Sequence, residues 1–308
     1  MTKQSTLLAV LCAVAVLTGC STQASSSALP SGAPSAVTGA SPTPEPTLNR
    51  ELLGQRLTVL FIGTDSNAGR RERDAPVNAD ALLLGSVSAD QSEVALISLP
   101  RDTTGIPLPD GSVWQQKVNA IYALEGPEAL VAALEELFGV PIDAYAEIDM
   151  DDFVTVVDAV GGVTVEPPRS LDDTKIGFAI EAGRQELGAS RALGYVRSRA
   201  VDFDYGRAGR QQEVLLELAR RLLSDEADVD VAGLLDGLSS FRTSLPLEDL
   251  PTLVEIVGRA QDAEVTRQVL GPPRFIVFEG DRGDGRGYIL EPDAEAMRRF
   301  VQRTIGDE

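Results

Sequence analysis

Three short apolar runs, Thr58–Gly63, Ala81–Val87 and Val94–Leu99, most constrain what this chain can fold into. Each is bounded by turn residues and reads as a strand buried on both faces, since a half-exposed strand would alternate apolar with polar positions. The gap around Asp90 is too short for a crossover helix, so the second and third runs pair antiparallel. Helical signals follow. Pro127 takes a first-turn position ahead of a stripe of Leu130, Leu134 and Leu137. After a strand at Tyr145–Ile148, Asp151 predicts an N-cap for a helix carrying Phe153, Val156, Val157 and Val160. Gly161-Gly162 stops that helix ahead of a strand at Val163–Val165. A long helix is expected after Gly206, with Val214, Leu215, Leu218 and Leu222 on one face. Helical segments near 229–240 and 247–260 come next, then a hairpin of Arg274–Glu279 with Gly287–Leu290, and a closing helix over Asp293–Ile305. Strands alternating with helices predict an α/β fold with a mixed central sheet flanked by helices, one domain over 55–308.

The residues ahead of that domain read as an address. Lys3 precedes the apolar run Leu7–Leu17, and Leu17-Thr18-Gly19-Cys20 follows. The run falls short of the about 20 apolar residues needed to span a bilayer core. It fits the h-region of a secretory signal over 1–19. Small residues before a cysteine resemble the lipobox of bacterial lipoproteins, which makes Cys20 the expected lipidation site. Cys12 would leave with the signal, so the mature chain would carry neither a free thiol nor a disulfide. Residues 20–54 are rich in Ser, Thr, Ala, Pro and Gly, a composition that cannot bury enough apolar area to fold. They are expected to form a flexible tether that holds the domain close above a membrane.

Charge narrows the chemistry. The chain has 47 acidic against 27 basic residues, a formal net charge of −20, which repels duplex DNA and argues against a nucleic-acid partner. It contains no histidine. Ser-His-Asp and Cys-His nucleophiles, His-ligated zinc and a His general base are all excluded. What remains is carboxylates, hydroxyls, arginines and a hard cation. The basic residues are nearly all arginine, the lysines being Lys3, Lys117 and Lys175.

Two clusters stand out. The first joins Gly63-Thr64-Asp65 at a strand end, Asn78-Ala79-Asp80 entering the next strand, and Leu99-Pro100-Arg101-Asp102 ending the third. Polar groups converge over a sheet at strand ends. Carboxylates there suit Mg²⁺, which takes one or two carboxylates plus substrate oxygens, although Asp65 and Asp102 could equally cap turns. The second cluster is Tyr195-Val196-Arg197-Ser198-Arg199 with Asp202, Asp204, Arg207, Arg210 and Gln211. Arginine forks bind phosphate oxygens bidentately, and Arg207, Arg210 and Gln211 are expected to open a helix whose N-terminus favours an anion. The plain alternative is a set of surface salt bridges with Asp202 and Asp204.

Taken together, these segments resemble the LytR-CpsA-Psr family of bacterial cell-wall glycopolymer ligases. The matching elements are Gly63-x-Asp65, Asp80 before an apolar strand, Ser98-x-Pro100-Arg101-Asp102 and Lys117-x-Asn119-Ala120. Further on come Asp158-x-x-Gly161-Gly162-Val163, Ala192-Leu193-x-Tyr195-x-Arg197-x-Arg199 and Asp204-x-x-Arg207-x-x-Arg210-Gln211. They form a motif core over 59–223, with 224–308 as a C-terminal extension. The resemblance implies a hydrophobic groove for a polyprenyl chain with a polar mouth for its pyrophosphate. It implies transfer of a glycopolymer from polyprenyl pyrophosphate to peptidoglycan with Mg²⁺, a phosphotransferase reaction. By the same resemblance, Asp65 and Asp80 are metal-associated carboxylates, and Asp65, Asp80 and Arg101 carry the chemistry. Arg101, Arg197, Arg199, Arg207 and Gln211 hold the pyrophosphate. The expected location is the outer face of the cytoplasmic membrane of a Gram-positive, high-GC bacterium, with the chain anchored through Cys20.

The chain departs from the pattern at Asn78, where the family commonly has arginine, and in its lipid anchor, where most members have a transmembrane helix. The upstream loop carries Arg70, Arg71 and Arg73, which either supply the missing charge or pair with Glu72 and Asp74 in solvent. Two other functions remain open from sequence alone. One is a polyprenyl-pyrophosphate phosphatase, with water replacing the sugar hydroxyl. The other is a lipoprotein that binds polyprenyl phosphate without turnover.

Overall fold

The computed structural model describes residues 48–224, 229–230 and 241–306. Cys20, the signal segment, nearly all of the tether and most of the helical segment expected near 229–240 lie outside the described residues. The main sheet is built from β1 (Leu57–Thr64), β2 (Ala79–Val87), β3 (Glu93–Ser98), β4 (Ala144–Ile148), β5 (Arg242–Thr243) and β6 (Glu264–Val269). Their spatial order is β5-β4-β1-β2-β3-β6. The β1–β2 and β2–β3 pairs are antiparallel, while β4 runs parallel to β1 and β6 parallel to β3. This is the mixed α/β sheet expected from the sequence. Its directions have one consequence for function: the C-terminal ends of β1, β3, β4 and β6 and the start of β2 all meet at the same edge.

Register divides the sheet into two faces. On one face Leu60, Ile62, Leu82, Leu84 and Ile97 are buried in a single core with helices α1 (Pro127–Phe138) and α6 (Ala294–Ile305). Each such side chain contributes about 1.5–3 kcal/mol by leaving water. Helix α1 starts with Pro127 in its first turn, as its sequence predicts, and ends at Gly139 in the left-handed region. The other face carries the registered set Phe61, Leu83 and Ser98 beside Val59, Gly85 and Leu96. Gly85 is needed here: a Cβ would sit 2.8 Å from the Phe61 ring.

Helix α4 (Phe203–Leu223) covers this second face, joined by Gln212, whose amide nitrogen donates to Leu96 O (3.2 Å), Ser98 Oγ (2.9 Å) and Gln268 O (3.0 Å). Beyond it, α2 (Met150–Ala159) and α3 (Ala189–Arg197) pack with α4 and two small hairpins around Val157, Val163, Leu187, Tyr195 and Val214. The hairpins pair Val163–Val165 with Gln185–Leu187 and Leu171–Asp173 with Phe178–Ile180. Leu83 and Leu96 are buried on this second face.

Several boundaries differ from the sequence reading. Asp149, not Asp151, caps α2, accepting from Asp151 N and Asp152 N, both at 2.9 Å. Helix α4 begins at Phe203, a residue at φ +52°, so Arg207, Arg210 and Gln211 lie in later turns instead of opening the helix. Val163–Val165 is the strand expected there, whereas its partner Gln185–Leu187, the pair Leu171–Asp173 with Phe178–Ile180, and β6 carry no long apolar run and were not expected. The hairpin of Ile276–Asp281 with Tyr288–Pro292 and the helix α5 (Leu250–Arg259) match their expected places. No helix among the described residues is long and apolar enough to cross a membrane.

Candidate functional site

The edge where β2 starts and β3 ends gathers an ionic pole with Asp102, Asp204 and Arg207 buried at its centre. The Arg101 guanidinium, just past β3, is paired with the Asp80 carboxylate at the start of β2. Arg207, on α4, donates to the Asp80 carbonyl at 2.8 Å and pairs with Asp204 at 2.7 Å. Asp102, 6% exposed, is met by Lys117 at 2.7 Å, by Arg199 at 3.9 Å and by Arg101 at 4.0 Å. Arg199 also lies 3.5 Å from Asp204. Four cations thus surround three carboxylates, a balance with one positive charge to spare.

The protonation energetics follow from that crowding. Burial works against the Arg101 charge but is outweighed by Asp80, Asp102 and Asp204, which hold the guanidinium above its ordinary range. Arg207 goes the other way. Burial pushes it below the ordinary arginine value, and the charges of Arg101 and Arg199 push further against the pull of Asp204 and Asp80. Buried guanidinium nitrogens Nε of Arg101 and Arg207 have no hydrogen-bond acceptor. A polyanion placed at this pole would answer both deficits.

Residues without obvious chemistry hold the cations in place. Asp173, at the tip of a small hairpin, accepts from Arg199 N at 2.9 Å and from Ser198 Oγ at 3.1 Å, fixing the segment that aims Arg199. Arg210 is turned inward: its Nε donates to Tyr195 O at 3.0 Å and its Nη1 grips both Asp202 oxygens at 2.7 and 3.0 Å. The Asp202 carboxylate occupies the space where a Cβ on Gly206 would be, 1.8 Å from its Cγ, so glycine is required there. Tyr195 donates to Glu213 at 2.7 Å and ties α3 to α4. Sequence reasoning had not singled out Asp173, Gln212 or Glu213. Their partners lie 26, 114 and 18 residues away, and local pattern carries no trace of such pairs.

The other expected residues are arranged differently. Gln211 donates to Val196 O at 3.2 Å and bonds no member of the pole. Arg197, at the end of α3, is exposed at the rim of an open cleft of about 410 Å³ shared with Asn67, Asp151, Val154 and Leu193. Asp65 forms a second, outer pole. Its carboxylate accepts from Asn78 N at 2.8 Å and Asn78 Nδ2 at 3.2 Å, and Arg70 comes within 3.0 Å. Arg71 pairs with Asp149 and, at 2.9 Å, with Asp151. The loop arginines Arg70 and Arg71 therefore engage strand-edge carboxylates rather than Glu72 and Asp74, and Arg70 brings a guanidinium beside the position where Asn78 stands.

The sequence profile of the LytR_cpsA_psr family matches residues 24–290. The chain belongs to the LytR-CpsA-Psr family. Among its relatives is the polyisoprenyl-teichoic acid–peptidoglycan teichoic acid transferase TagU of Halalkalibacterium halodurans, 29% identical over 246 residues. That match covers 78% of this chain and 76% of TagU. The TagV protein of the same description from Bacillus subtilis is 25% identical over 257 residues, covering 80% of this chain. The chain spans only 63% of the TagV length. In fold, the crystal structure of Bacillus subtilis TagV superposes with a TM-score of 0.65 at 23% identity, covering 83% of this chain and 99% of that one. The family match runs past the motif core and takes in β6 and most of the hairpin that follows, so the LytR-CpsA-Psr frame includes the strand that closes the sheet.

The donor set bears on a metal. With no histidine and no thiolate at the pole, only a hard, oxygen-loving cation is suited to it. No group of three metal-ligating side chains is present among the described residues, and Asp65 and Asp80 each hold an arginine. These carboxylates fit Mg²⁺ only in company with phosphate oxygens, the usual manner in which Mg²⁺ binds through one or two carboxylates.

Proposed function

We propose that this chain transfers a glycopolymer from a polyprenyl pyrophosphate carrier to a peptidoglycan hydroxyl. The observation that carries the reading is the pole of Arg101, Arg199, Arg207 and Lys117, delivered by three separate segments to one sheet edge with charge to spare. Phosphoryl displacement needs charge neutralisation and alignment more than a covalent nucleophile, so a site without histidine suffices. In the reaction, the acceptor oxygen attacks the phosphorus bearing the glycan. The bond from that phosphorus to the bridging oxygen breaks, polyprenyl monophosphate leaves, and a carboxylate of the site takes the hydroxyl proton. Arg101, Arg199 and Arg207 hold the diphosphate oxygens, and Arg197 and Gln211 border them. Asp65 and Asp80 would hold Mg²⁺, which supplies further neutralisation of the phosphate charge. For binding, the diphosphate exchanges places with the carboxylates that now occupy the arginines.

For the lipid we propose the layer between α4 and the sheet face that carries the buried Leu83 and Leu96. Lipidation at Cys20 and the tether that follows would place this mouth close to the outer face of the cytoplasmic membrane, where a polyprenyl carrier is held. The relatives named as teichoic acid transferases support the reaction class.

The test combines purified chain, a polyprenyl-diphosphate-linked oligosaccharide, soluble peptidoglycan fragments and Mg²⁺, read by mass spectrometry. Transfer predicts a phosphodiester-linked product and polyprenyl monophosphate in equal amounts, lost in Arg101→Ala. Free sugar phosphate without linked product would make the chain a phosphatase, and no turnover at all would make it a binding protein.

A further inference from the structure

The hairpin of Ile276–Asp281 with Tyr288–Pro292 is far along the chain from the arginines, yet it is bonded directly to their frame. Leu290 N donates to Asp102 O at 3.0 Å, and Thr104 N donates to Leu290 O at 2.9 Å. The hairpin turn is fastened as well, with Arg286 Nη1 donating to Gln115 O at 3.0 Å, close to Lys117. The second strand is therefore a fixed wall of the ionic pole rather than a mobile flap.

That wall carries an exposed aromatic ring and an exposed carboxylate beside the pole. Tyr288 keeps 51% of its surface open although it stands two residues from the buried Leu290. Its hydroxyl is held above the ordinary tyrosine range, first by burial, then by Glu279 and Asp102, while Arg199 opposes. Tyr288 thus keeps an open surface while its hydroxyl bonds Glu279 and stands within reach of the charges of Asp102 and Arg199. Glu279, exposed on the facing strand, accepts from the Tyr205 hydroxyl at 2.9 Å. Tyr205 follows Asp204 on α4 and packs so closely over Gly271 that a Cβ there would lie 2.9 Å from its ring. Two tyrosines and a carboxylate thus flank the Asp102–Arg199–Asp204 side of the pole.

An open aromatic face stacks on the C–H surface of a ring, and a carboxylate accepts its hydroxyls. A lipid tail would desolvate Glu279 at a cost, and a phosphate would be repelled by it. A sugar satisfies both groups. We propose that Tyr288, with Glu279 and Tyr205, forms a saccharide subsite that takes the pyranose ring adjoining the reacting phosphate. The proposal rests on the diphosphate reading of the pole. The ring belongs to either the donor or the acceptor glycan, and the experiment separates these sources.

Titration calorimetry on the full chain would use three probes with Mg²⁺: a short polyprenyl diphosphate without sugar, the same diphosphate bearing an N-acetylhexosamine, and a soluble peptidoglycan disaccharide. Tyr288→Ala is expected to weaken one sugar-bearing probe about tenfold. It should leave the sugar-free diphosphate unchanged within about twofold. Tyr288→Phe keeps the stacking face and should retain most of the affinity, while Glu279→Gln weakens the same probe as Tyr288→Ala. Loss on the second probe assigns the ring to the donor, and loss on the third assigns it to the acceptor. Unchanged affinity for both sugars in Tyr288→Ala overturns the subsite, as does an equal loss for the sugar-free diphosphate. If the wild-type chain ignores the sugar-free diphosphate, it is the diphosphate reading that fails, and the disaccharide arm still reports on Tyr288.

Discussion

The Arg207–Asp204 pair of the inner pole and the Arg71–Asp151 pair of the outer one use the same residue types under opposite conditions, while Arg101–Asp80 and Arg70–Asp65 are half-buried alike. At the inner pole, Arg207 and Asp204 have side chains only 7% and 9% exposed, Arg207 also reaches across to the Asp80 carbonyl, and Arg199 lies between Asp102 and Asp204. At the outer pole, Arg71 and Asp151 are 51% and 47% exposed and their pairing is confined to one loop and one helix start. Burial makes the inner pairs costly to break and costly to leave unfilled, whereas water screens the outer ones. Composition would have ranked the two arginine-rich segments alike. Geometry separates the buried Arg207–Asp204 pair, at the centre proposed for the diphosphate, from an exposed rim.

Truncating the inner pole should have the largest effect. Arg207→Ala leaves the Asp80 carbonyl without its donor and the buried Asp204 with Arg199 alone at 3.5 Å, and is expected to cost about 3–5 kcal/mol of stability. Chemical denaturation of the variant would show it, and Arg207→Lys should recover only part, since an ammonium lacks the fork. The next effect is indirect. Asp173→Ala releases the segment that aims Arg199, and should lower kcat about tenfold with a smaller change in diphosphate affinity, a split that steady-state kinetics would detect.

At the junction of the poles, Arg70→Ala should weaken diphosphate binding about five- to tenfold through loss of a charge-assisted contact. Adding Asn78→Arg should recover most of the loss in calorimetry, because it returns a guanidinium to the same carboxylate. Failure of that recovery would mean that Arg70 serves the loop alone. The smallest change belongs to Arg71→Ala, for which diphosphate affinity and melting temperature are both expected to match the wild type. A strong loss there would erase the distinction between the poles.

What the sequence disclosed and what it hid follow the same contrast. Strands β1, β2 and β3 were legible because burial on both faces writes itself as a continuous apolar run. Strand β6, with the sequence Glu-Val-Thr-Arg-Gln-Val, lies at the edge with its first four residues exposed, so no such run exists to be read. Asp149 and Asp151 are equivalent as residue types; Asp149 caps α2 because its backbone is still extended, while Asp151 already lies in the first turn. Phe203 starts α4 in a left-handed conformation that a phenylalanine does not advertise. Among the site residues, Asp80, Arg101, Arg199 and Arg207 were readable as a set and are brought together. The supports at Asp173, Gln212 and Glu213, and the Tyr288 wall, depend on contacts made only after the chain has folded.

The central claim is that Arg101 and Arg207 act on one diphosphate at the inner pole. The direct test is a double-mutant cycle on the affinity of a short polyprenyl diphosphate, with Arg101→Ala, Arg207→Ala and the double variant measured at one Mg²⁺ concentration and each checked for folding. Each single change is predicted to weaken binding about 30-fold or more, and the double change to fall short of the product by at least about 1 kcal/mol, since the residues share a ligand. Folded single variants that bind the diphosphate as tightly as the wild type would contradict the account.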